Sequence, residues 1–106
     1  MSSINGTTQD IDYFLYRFTG ARWVTQRAGR DKYLAHAVSS FLTKDEATEF
    51  VTTVYTYVRT VNPALRLAII VDIAGGVGQP RYGVDESGCP IVGRIGTPPG
   101  KYQRIA

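Results

Sequence analysis

An α+β domain is the fold this sequence predicts: a mainly antiparallel sheet of four to five strands packed against one central helix. Three observations predict it. The middle of the chain holds one stretch with a full set of helix signals, β-branched and aromatic runs lie on both sides, and turn-forming clusters separate those runs.

The central helix is predicted over about residues 44–61. Thr43 is a good N-cap, since its hydroxyl accepts from a first-turn amide, and Glu46 stands three residues on as in a capping box. Asp45, Glu46 and Glu49 complement the positive end of the helix dipole, and Arg59 complements the other end. Ala47, Phe50, Val51, Val54, Val58 and Val61 form one apolar stripe at three- and four-residue steps. Asn62-Pro63 stops the helix, because proline disfavours helical geometry at the residue before it. Against this, Val, Thr and Tyr fill positions 51–61, which also read as a strand. Their summed helix penalty is about 3–5 kcal/mol relative to alanine, so the helix needs a sheet to pack on.

Residues 1–7 are small and polar and read as a flexible arm. Ile11, Phe14, Leu15 and Phe18 fit a short helical stripe, with Thr7 or Thr8 as cap and Gly20 as stop. The same aromatic run also reads as a strand. Residues 21–27 and 32–39 read as strands joined by the turn Ala28-Gly29-Arg30-Asp31. Residues 65–73 are the best strand candidate, and the apolar run from Leu67 to Val71 predicts a central strand covered on both faces. A glycine-rich connection follows, and residues 81–84 and 89–95 are expected to form a second hairpin across Asp85 to Gly88. One domain over 1–95 is expected, with 96–106 as a Pro/Gly-rich basic tail, ordered only if something holds it.

Composition narrows function more than it identifies it. The 106 residues carry a net charge of +3, and nine of the twelve basic residues are arginine. No apolar run of about 18 residues reads as a membrane span, and the N-terminus lacks the basic start and apolar core of a secretory signal. A cytoplasmic location is the expectation. The single Cys89 and single His36 exclude an internal disulfide and a two-histidine metal site, so no metal or cofactor is expected. The Gly75-Gly76-Val77-Gly78 spacing matches no dinucleotide fingerprint, and Pro80 with a strand-like segment follows where a phosphate loop requires a helix.

Basic and aromatic residues carry the strongest functional hint. Arg22, Trp23, Arg27, Arg30, Lys32 and Tyr33 crowd the first hairpin, and Arg81, Tyr82, Arg94, Lys101, Tyr102 and Arg104 extend the set. Arginine with aromatics suits protein interfaces and nucleic-acid backbones alike, and a basic edge also discourages strand aggregation. The preferred expectation is a non-catalytic, stoichiometric protein-binding or inhibitor module with an acidic partner. Its size and style are those of phage or mobile-element accessory proteins. The alternative is a nucleic-acid or nucleotide binder using the same residues. A third is a small enzyme built on His36 and Asp72, with Cys89, Ser39, Ser40 or Ser87 as nucleophile. Thr52, Tyr55, Thr56 and Tyr57 form an uncharged outer helix face, expected to be covered by a second copy of the chain or by the N-terminal helix.

Overall fold

A computed structural model describes residues 7–37, 43–73, 77–97 and 101–104. The elements are α1 (Thr8–Thr19), β1 (Trp23–Gly29), β2 (Lys32–Ala37), α2 (Lys44–Val61), β3 (Arg66–Asp72), β4 (Pro80–Val84), β5 (Pro90–Arg94) and β6 (Gln103–Arg104). The six strands form one sheet in sequence order. Every neighbouring pair is antiparallel except β2 and β3, which run parallel because α2 carries the chain across between them. The sheet therefore has more strands than the four to five expected. The extra one is β6, a two-residue strand from the segment read as a tail, which pairs with β5.

Helix α1 starts where the Thr7 hydroxyl accepts from the Asp10 amide at 3.2 Å. It ends at Gly20, whose φ of 73° lets its amide reach the Tyr16 carbonyl. Helix α2 begins at Thr43, whose hydroxyl accepts from the Glu46 amide at 3.0 Å. The Glu46 carboxylate does not stand free at this cap: it accepts from the Thr43 hydroxyl at 3.0 Å. The threonines that weaken α2 as a peptide satisfy themselves, since Thr48, Thr52 and Thr60 each donate to the carbonyl four residues back. Burial does the rest. Ala47, Val51, Val54 and Val58 are fully enclosed, and at about 1.5–3 kcal/mol per large apolar side chain their packing exceeds the propensity deficit.

Both helices lie on one face of the sheet. Ile11 and Leu15 from α1 and the α2 stripe pack on Trp23, Tyr33, Ala35, Ala37, Leu67, Ile69, Val71 and Val84. Strand alternation sends the intervening residues to the opposite face, where Leu34, Ile70 and Ile91 form a smaller cluster with Ala68 and Tyr102. The apolar run in β3 thus serves two cores. Among the described residues, no helix is long and apolar enough to cross a membrane.

Candidate functional site

The basic residues do not form one surface. The hairpin set is on or beside β1 and β2, while Arg81, Tyr82, Arg94, Lys101, Tyr102 and Arg104 are on or beside β4 to β6. Four inter-strand steps separate β1 from β5, about 19 Å at the usual spacing.

On the hairpin, the two aromatic members of the proposed contact set, Trp23 and Tyr33, are core residues instead. Trp23 is only 4% exposed and Tyr33 only 5%. The parity that sends Thr25, Ala35 and Ala37 inward sends these two with them. Trp23 lies parallel to Phe50 at 6.0 Å, and its indole N–H donates to the Thr19 hydroxyl at 2.8 Å. What remains outside is charge. Arg22, Arg27 and Arg30 are exposed, and the Arg27 guanidinium sits over the Tyr33 ring at 5.2 Å. Among the described residues none of the three is in an ion pair. Lys32 is: Glu86 holds it at 3.2 Å and Arg66 at 2.8 Å. Exposed pairs of this kind are worth about 0–1 kcal/mol, so their consequence is for function, since one carboxylate engages two cations.

The second group divides between the two faces. Arg81 and Tyr82 are adjacent on β4 and point opposite ways. Arg81 is on the helix-free face, where its Nε donates to Asp72 Oδ1 at 2.7 Å and its Nη1 to the Tyr102 hydroxyl at 3.3 Å. Burial works against the Arg81 charge, but Tyr102 and Asp72 outweigh it and raise its pKa above the ordinary arginine value. Arg104 meets Asp85 at 3.1 Å. Tyr82 lies on the helix face with the Lys44 ammonium 5.8 Å from its ring centre. Register places Tyr82 beside Val92, Val92 beside Gln103, and Pro80 beside Arg94. With Thr97 and Lys101 these residues line an open groove of about 440 Å³.

His36 and Asp72, separated by 36 positions, come together on the helix-free face, with Nε2 of the histidine 2.7 Å from Oδ2 of the aspartate. One carboxylate thus holds an imidazole on one oxygen and a guanidinium on the other. This fixes the ring and leaves its Nδ1 for other partners. Register keeps Ser87 and Cys89 away from it. The β4–β5 turn that carries them is at the Arg66 end of β3, while His36 pairs with Ile70, four residues along, which is about 13 Å of strand. Ser39 and Ser40 lie outside the described residues, as do Gly75 and Gly76. Among the described residues no cluster of three or more histidine, cysteine, aspartate or glutamate side chains is placed to hold a metal.

On the uncharged outer face of α2, the two tyrosines are partly covered within the chain. Tyr57 stacks on Phe18 at 3.9 Å and on Phe14 at 5.3 Å. Tyr55 packs toward the core, with its hydroxyl 3.4 Å from the Glu86 carbonyl. Of the four residues offered as an oligomer interface, only Thr52 and Thr56 are exposed. The N-terminal helix and the β4–β5 turn supply the cover for the two tyrosines.

Sequence reasoning passed over four positions that matter. Glu86 and Asp85 take up three cations between them, and Lys44 joins Tyr82 from another element. The fourth is Gly93, where a Cβ would overlap the Tyr102 ring. Only Gly93 carried a local signal, since a glycine inside a strand marks a close approach. No family model, curated protein or solved structure matches the chain, so the functional reading rests on these surfaces.

Proposed function

We propose that the protein is a stoichiometric protein-binding module that takes an acidic, extended segment of a partner along the β1 edge. One observation carries this reading: among the described residues β1 pairs on one side only, and Arg22, Arg27 and Arg30, at and beside it, lack carboxylate partners. An open edge offers a row of backbone donors and acceptors that an added strand can satisfy, while side chains set the choice of partner. Arginine forks suit carboxylates through paired hydrogen bonds. Burial of Trp23 and Tyr33 weighs against nucleic acid at this edge, because it removes the rings on which bases would stack.

The test is retention of a partner from nuclease-treated cell extract on immobilised protein, followed by hydrogen exchange on the isolated complex. One partner at equal stoichiometry is expected, with slowed exchange at the Trp23–Arg27 amides. Loss of retention is expected in Arg27→Ala/Arg30→Ala but not in Arg59→Ala. Retention that depends on nucleic acid, or a complex in which β1 exchange is unchanged, overturns the proposal.

A further inference from the structure

The groove beside β4, β5 and β6 has a different chemistry from the β1 edge and stands independently of it. Its floor is flat and partly apolar, made by Tyr82, Val92 and Pro80. Arg94 and Lys101 line it, and Lys44 reaches the same tyrosine from the start of α2. Among the described lining residues there is no carboxylate. Asp85 and Glu86, which follow β4 in the chain, are engaged elsewhere, with Arg104 and with Lys32 and Arg66. Thr97 and Gln103 add hydrogen-bonding groups at the walls.

An aromatic floor with a cationic rim matches a ligand that joins a flat ring to a phosphate. Volume agrees, since small-ligand clefts run from about 300 to 1,000 Å³. The requirement for a ring comes from Tyr82, and the requirement for a phosphate comes from Arg94 and Lys101, with no carboxylate among the described lining residues. Arg94 adds geometry: its Nη1 donates to the Gly78 carbonyl at 2.9 Å, which anchors the guanidinium on the groove wall. An anchored arginine loses less freedom on meeting a phosphate than a free one.

We infer that this groove binds a nucleotide unit, its base against Tyr82 and its phosphate between Arg94, Lys101 and Lys44. The unit is either a free nucleotide or one residue of a single strand, and the recognition chemistry is the same for both. This moves nucleic-acid chemistry from the first hairpin to the opposite edge of the sheet.

Fluorescence anisotropy of a labelled oligothymidylate of about ten nucleotides tests it. Binding at low salt is expected, weakening roughly 2- to 3-fold between about 50 and about 200 mM salt, as neutralisation of one phosphate implies. Arg94→Ala/Lys101→Ala is expected to weaken it at least about tenfold, which is the loss of one good charged contact pair. Lys44→Ala leaves the C-terminal segment untouched and is expected to weaken binding as well, whereas Arg17→Ala, a cation on α1, changes nothing. Competition by thymidine monophosphate assigns the groove to free nucleotides. Binding of the oligomer without such competition assigns it to single strands. The inference is overturned if the oligomer does not bind at low salt, if inorganic phosphate competes as well as the nucleotide does, or if Arg17→Ala weakens binding as much as Lys44→Ala.

Discussion

Gly93 shows how one missing side chain organises a region. Strand β5 sends this position to the helix-free face, and the Tyr102 ring occupies the space a Cβ would take. The ring then reaches Arg81 with its hydroxyl, which ties the C-terminal segment to the polar group of Asp72 and His36. Gly93→Ala must expel the ring, and overpacking of this kind costs about 1–3 kcal/mol. The melting temperature is expected to fall by about 4–8 °C per kcal/mol. In a Tyr102→Ala background the same change is expected to cost little, and an equal cost in both backgrounds would refute the ring-seat account. Thr25 predicts the opposite sign. It is 7% exposed, and its hydroxyl has no hydrogen-bond partner among the described residues. Thr25→Val keeps the shape and removes an unsatisfied group, so a gain of about 1 kcal/mol is expected in urea denaturation. Arg81 adds no pH dependence in the working range. Its raised pKa means that its stabilisation is complete below the unfolded value and is lost only as pH rises through the folded one, far into the alkaline range.

At the scale of elements, α2 is held from three sides. Its apolar stripe meets the sheet, Tyr55 meets the β4–β5 turn, and Tyr57 meets α1 through two stacked rings. The last contact explains why a helix without charge from Val51 to Val58 is not left bare. It also sets the stability of α1, whose own enclosed side chains are Ile11 and Leu15. Tyr57→Ala is expected to cost roughly 1.5–3 kcal/mol, less than a fully buried aromatic because Tyr57 is half-buried. The amides of α1 are expected to exchange faster than those of β3 in this variant. Uniform acceleration across the molecule would mean that α1 does not open separately.

For the whole molecule, the sheet order decides what the basic residues can do. It puts Arg22, Arg27 and Arg30 at one edge and the groove with Arg94 and Lys101 near the other. It brings Glu86 to Lys32 and Arg66, and Asp72 to Arg81, so three cations that look free in the sequence are paired. The basic residues are therefore divided between two edges of the sheet rather than gathered on one. If both proposals hold, variants at one edge are expected to leave binding at the other unchanged.

Local features were legible in the sequence because they depend on residues a few positions apart. The bounds of α2, the Thr43 cap, the central place of β3 and the β4–β5 turn follow from short-range periodicity, capping and turn chemistry, whereas the sequence left the α1 cap between Thr7 and Thr8 and its aromatic run between helix and strand. What tertiary structure alone decided is facing and register. A strand alternates sides every residue, so Trp23 and Tyr33 served a core as readily as a surface until α1 and α2 chose the face they cover. The His36–Asp72 pair, the Glu86 bridge and the Tyr82 groove join residues from separate strands, helices and turns. Their proximity comes from strand pairing between distant segments, which no local pattern of residue types specifies.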